Sequence, residues 1–136
     1  MKTPGPDHPI TVDRSPRRIR ARMSDHVTLA DTLNALVLRE ANYPPVVYFP
    51  RETVGMGYAA KTDKTSHCPY KGEASYYTFT ADGQILENAA WSYEAPFPAM
   101  EAIKGYIAFY PARGIEVYSV DEADLEDRRA EHRPAV

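Results

Sequence analysis

Apolar and polar positions alternate along this chain in short runs, and proline, glycine or aspartate interrupts each run before it reaches helical length. Residues 10–13 (ITVD) predict a short strand, ended by Ser15-Pro16. Residues 19–23 (IRARM) predict a second, with a turn at Asp25 and more extended chain over 27–31. Residues 33–39 (LNALVLR) fit a short helix or a buried strand equally, because periodicity cannot separate the two over so short a run. Tyr43-Pro44-Pro45 marks a boundary, and the β-branched and aromatic residues 46–49 (VVYF) predict a strand that Pro50 stops. Residues 52–56 suit one helical turn or a bend, 57–61 a strand, and the polar 62–66 a loop.

The clearest pair of strands is 75–80 (SYYTFT) with 84–93 (QILENAAWSY). Asp82-Gly83 lies between them, and a type I′ turn needs positive φ at both central positions, which this dipeptide tolerates. Such a turn sets Tyr77 opposite Asn88 and Ala74 opposite Trp91. Trp91 and Tyr93 then share one face, Asn88 and Ser92 the other. Pro96 and Pro98 break the sheet, 99–103 fits a short helix ended at Gly105, and 106–110 and 115–120 predict two more strands around Ala112-Arg113-Gly114. Residues 1–9, with Pro4, Pro6 and Pro9, read as an extended lead-in, and the charged residues 121–133 as a surface helix or frayed tail. Many short strands with one or two short helices predict a mainly β domain, a compact barrel or a bent pair of sheets. The length of 136 residues suits one domain spanning the chain, with its core over about residues 10–120.

Composition adds three facts: 12 prolines, 10 tyrosines against 4 phenylalanines, and one cysteine. A lone cysteine excludes an internal disulfide and any site built of several thiolates. The net charge of −3 argues against a dedicated nucleic-acid binder. Arg17, Arg18, Arg20 and Arg22 are the one basic cluster. Because Arg18, Arg20 and Arg22 alternate with Ile19, Ala21 and Met23, they read as the solvent face of a strand. No apolar run approaches the roughly 20 residues that span a bilayer, and no hydrophobic signal region opens the sequence. The expectation is a cytoplasmic protein with a reduced Cys68 and no membrane partner, with a homo-oligomer left open.

Candidate chemistry concentrates in residues 65–72 (TSHCPYKG), where His67, Cys68, Tyr70 and Lys71 are close neighbours, followed by Ser75, Asn88, Trp91 and Tyr93. Adjacent residues of extended chain point to opposite sides, so His67 and Cys68 are poorly placed to share a zinc ion or to act as a dyad. Cys68 is nonetheless a candidate nucleophile, with Lys71 and His67 near enough in sequence to favour the thiolate. Ser92 lacks the glycines of a nucleophile elbow. Tyr70, Trp91, Tyr93 and Tyr110 offer flat faces, most with a polar tip. Lys71, Ser75 and Asn88 supply the few convergent polar groups a pocket needs.

Four segments carry a family resemblance: 48–54 (YFPRETV), 67–72 (HCPYKG), 87–94 (ENAAWSYE) and 107–111 (IAFYP), together covering about residues 18–119. In this order they resemble the domain of unknown function 427 family, which also carries the label nucleotidyltransferase-like domain 9. The resemblance implies a compact β-tent (Mss4-like) fold. Many members of that fold group hold zinc between paired cysteines, which this chain lacks, so no metal or other cofactor carries over. Nucleotidyl transfer usually needs two or three carboxylates around magnesium. The acids Asp31, Glu40, Glu52, Asp63, Glu73, Asp82, Glu87 and Glu94 are scattered instead. The first reading is therefore a small-molecule-binding β domain. Its ligand-binding residues are Tyr70, Lys71, Ser75, Asn88, Trp91, Tyr93 and Tyr110, with His67 and Cys68 at the rim as candidate catalytic groups. A Cys68-dependent enzyme, a nucleotidyltransferase and an interaction module are the alternatives.

Overall fold

The structure is a computed structural model and describes residues 1–120. The helix or tail expected over 121–133 lies outside the described residues. Ten strands form three antiparallel sheets. The first contains β1 (Ile10–Arg14), β4 (Leu36–Glu40) and β5 (Val46–Tyr48) in the order β1-β4-β5. The second has β2 (Ile19–Ser24) between β3 (Val27–Thr32) and β10 (Glu116–Ser119). The third runs β6 (Ala59–Cys68), β7 (Gly72–Ala81), β8 (Gln84–Ser92) and β9 (Ala108–Phe109). The mainly β expectation holds, but the sheets do not close into a barrel. The first and third are linked by one backbone bridge, in which Phe49 and Ile107 exchange N–H···O bonds of 2.8 and 2.9 Å.

Of the ambiguous run 33–39, residues 36–39 are strand, because they pair with β1 and β5 and Leu38 packs against Tyr48, Ala74, Tyr76 and Tyr93. The helical expectations become 3-10 turns at Arg51–Thr53, Met56–Tyr58 and Pro98–Ile103. The strand expected over 106–110 shrinks to Ala108–Phe109, since Pro111 opens another such turn. The loop expected over 62–66 is corrected: these polar residues belong to β6, whose partner on one side is β7 and which is otherwise largely exposed. An edge strand needs no apolar face to be held by its ladder, and charged residues guard such an edge against stray pairing.

Asp82 and Gly83 both have positive φ, 53° and 73°, so the type I′ turn forms as predicted and sets Ala81 opposite Gln84. The register beyond it departs from the expectation. Phe79 pairs with Leu86, but Tyr77 pairs with Ala90 and Tyr76 with Trp91. Residues 87–89 bulge opposite Thr78. Asn88 sits at the bulge with φ of 47°, its N–H donating to Thr78 Oγ1 at 3.1 Å while its Oδ1 accepts from Thr62 Oγ1 at 2.6 Å. A slip of two residues preserves the alternation, so Trp91 stays on the face expected for it but meets Tyr76 in place of Ala74.

The third sheet is buried on both faces. One face joins Tyr77, Phe79, Ala90 and Phe109 to Met23, Leu29, Phe49 and Ile115. The Phe109 ring meets Phe49 and Phe79 edge-on, each at 5.5 Å between centroids. The other face joins Ala74, Tyr76, Tyr93 and Ala108 to Leu38, Tyr48, Met100 and Ile103. The arginine stripe lies on the second sheet, as expected of a strand's outer face. Arg18 and Arg20 both bond Asp31 on the neighbouring strand, and Arg22 bonds Glu116 on the other side. Its charges are thus matched by acids across the strands.

Candidate functional site

A cleft of about 290 Å³ opens where the first sheet faces the third. β4 contributes Leu38 and Glu40, β5 contributes Val46 and Tyr48, and β6 ends there with Ser66, His67 and Cys68. Tyr76, Trp91, Tyr93 and Tyr110 complete the wall. Glu40, Tyr43, Pro44, Val46 and Trp91 are shared with a wider, mostly apolar groove of about 600 Å³ that runs on to Phe109, Pro111 and Val117.

Lys71 reaches the cleft because the chain reverses sharply between β6 and β7. Gly72 makes this possible with φ of 110°, and the Lys71 carbonyl accepts from the Phe97 N–H at 3.0 Å. The Lys71 ammonium is ion-paired with Glu40 Oε1, with the two side chains 10% and 12% exposed. Glu40 Oε2 bonds His8 Nε2 at 2.7 Å, and the His8 ring stacks on Tyr70 at 4.0 Å. Burial pushes the Glu40 carboxyl up, but the hydrogen bonds from Lys71 and His8 outweigh it and hold the group below its ordinary value. The N-terminal lead-in is consequently tied to the cleft through His8.

Around this pair stands a cluster of hydroxyls and rings. The Trp91 and Tyr110 rings lie 4.2 Å apart, and Tyr48 meets Trp91 edge-on at 6.3 Å. Tyr76 bonds Ser66 Oγ at 2.7 Å and approaches the Tyr110 hydroxyl at 3.4 Å. Burial raises the pKa of Tyr48, Tyr93 and Tyr110 well above the usual tyrosine value, so these hydroxyls stay neutral donors at physiological pH.

Of the residues singled out from the sequence, Lys71, Trp91, Tyr93, Tyr110, His67 and Cys68 line this one cleft. Tyr70 faces the N-terminal segment, against His8 and Lys2. Ser75 lies on the opposite face of the sheet, paired with Ser92. Close by, Arg51 bonds the Tyr77 hydroxyl, Ser92 Oγ, Glu94 and the Gly105 carbonyl. Burial pushes the Glu94 carboxyl up, and hydrogen bonds from Lys61, Ser75 and Tyr77 bring it below its ordinary value. Asn88 belongs to the β8 bulge. Glu40, Tyr48 and Tyr76 enter the cleft without having been singled out. The signal for Glu40 is the alternation of β4, which places an acid on the same side as the buried Leu38. Among the described residues no three His, Cys, Asp or Glu side chains gather as a metal-holding group, and no helix there is long and apolar enough to cross a membrane.

No curated protein matches this sequence. The profile of a domain of unknown function (DUF427) matches residues 11–123, which takes in all ten strands except the first residue of β1. By that match, over most of its length, the chain belongs to the DUF427 family.

Proposed function

We propose that this β domain binds a small molecule in the cleft between β4–β5 and β7–β8. One observation carries the reading: a concave, largely aromatic space has a single buried ion pair, Glu40–Lys71, at its wall. Apolar walls with a few convergent polar groups are the usual anatomy of a ligand site. The cleft and the adjoining groove together offer room in the usual range for such sites.

Trp91 is the only tryptophan, so its fluorescence reports on the cleft directly. A metabolite library is expected to contain compounds that quench it saturably and raise the melting midpoint, by about 2.7 kcal/mol of added stability at a hundredfold excess over Kd. Trp91→Ala is expected to abolish that ligand-induced rise while still melting cooperatively, because the ring is only half-buried. Failure of the variant to fold would mark Trp91 as core and sink the reading for this residue.

A second reading is favoured by Cys68, a free and half-buried thiol that lines the same cleft as His67 and Lys71. On this reading the thiol is the nucleophile of a thiol- or acyl-transfer reaction on the bound molecule. Iodoacetamide labelling of the native chain, followed by mass spectrometry, is expected to modify Cys68 faster than a free thiol. A rate no faster than that removes it.

A further inference from the structure

We propose that the cleft takes an uncharged, planar molecule with adjacent hydrogen-bond donor and acceptor atoms, as in a primary amide or a nucleobase, and not a phosphorylated nucleotide. This rests on the small-molecule reading above. Charge supplies the first argument. Glu40 is the acid and Lys71 the ammonium of the cleft, and each is the other's partner. His67, the other basic side chain along it, is exposed at the rim. An incoming phosphate or carboxylate would set a second anion beside Glu40 with one ammonium, Lys71, between them. An incoming ammonium would set a second cation beside Lys71, on a carboxylate that already holds Lys71 and His8. Either leaves an unmatched charge in a largely buried place, which is costly.

Left intact, the pair presents a donor beside an acceptor. The ammonium has three N–H groups and spends one on Glu40. The carboxylate oxygens, each holding one donor, keep lone pairs to spare. A neutral ligand edge meets both, its carbonyl toward Lys71 and its N–H toward Glu40, with no charge separated. The remaining walls fit the same class. Trp91 and Tyr110, whose rings lie 4.2 Å apart, line it with aromatic surface, and Tyr48, Tyr76 and Ser66 bring hydroxyls. A triphosphate would find one ammonium in the cleft, already engaged.

Benzamide, benzoate and benzamidinium share a planar ring and differ in charge. Each is titrated against the full chain at neutral pH, with Trp91 fluorescence as the readout. Benzamide is expected to saturate with a Kd at least about tenfold below the other two. Equal binding, or preference for a charged member, overturns the proposal and leaves the cleft as a ligand site. No response to any of the three overturns it as well, whereas silence across a whole metabolite library overturns the small-molecule reading itself. Glu40→Gln frees Lys71 and is expected to improve benzoate relative to benzamide about tenfold. Absence of that gain in a folded variant also counts against the proposal, and the titrations of the unaltered chain decide it if the variant does not fold.

Discussion

Replacing Lys71 with methionine is expected to destabilise the fold by about 3 kcal/mol, measured by urea denaturation at neutral pH. Glu40 would be left nearly buried, with His8 its remaining hydrogen-bond partner among the described residues. A stranded buried charge typically costs 3–5 kcal/mol, and the surviving His8 bond places this one at the lower end. In a chain of this length the loss lowers the melting midpoint by about 10 °C. The double variant Glu40→Met/Lys71→Met is expected to regain most of it, because two apolar side chains of similar length need no charge compensation. If the single and double variants were equally unstable, packing and not charge pairing would be the role of these side chains.

The same pair sets an acid limb. The folded Glu40 carboxyl titrates below its ordinary value, chiefly because Lys71 and His8 overcome the cost of burial. Its contribution is therefore fully present above the ordinary carboxylate range and is lost as pH falls through the lowered folded value. Lys71→Met is expected to flatten that part of the stability profile.

Phe49→Ala is expected to cost about 4 kcal/mol, enough to consume much of the stability of a small domain. Phe49 is fully buried and its ring meets Phe109 edge-on at 5.5 Å. It also sits at the backbone bridge that links the first and third sheets, so the cavity opens where two sheets join. Phe49→Leu keeps most of the volume and is expected to cost about 1.5 kcal/mol or less. A cost below about 2 kcal/mol for the alanine variant would mean that the surroundings collapse to fill the site.

Local signals made much of this fold legible. Alternation marked β1, β2, β7 and β8, because side chains of a half-buried strand face core and solvent in turn, and β-branched and aromatic residues marked β5. Asp82-Gly83 specified its turn through backbone conformation alone. The arginine stripe read as an outer face, and acids on both neighbouring strands pair with it. The polar residues 62–66 misled because β6 is held by its ladder with β7, which pairs Thr65 and Ser66 and skips 62–64 at a register shift, and their own pattern does not report this.

The candidate site was only half legible. Lys71, Trp91, Tyr93, Tyr110, His67 and Cys68 are close in sequence or share a strand face, and they meet in one cleft. Ser75 lies near them in sequence but on the other side of its sheet, since alternate residues of a strand part company. Asn88 was assigned to the pocket for its closeness in sequence, and the structure places it at the β8 bulge, against Thr62 and Thr78.

The sequence by itself determined the class of fold, several of the places where strands end, and which residues have the chemistry for a site. Those properties depend on neighbours a few residues away, through side-chain alternation and the fixed φ of proline. Only the tertiary structure decided the register of β7 against β8 and the joining of His8, Glu40 and Lys71 into one buried group. It also closed the cleft between sheets distant in sequence. Each of these depends on long-range packing, where a two-residue bulge or a single positive-φ position changes which side chains meet without altering the local pattern.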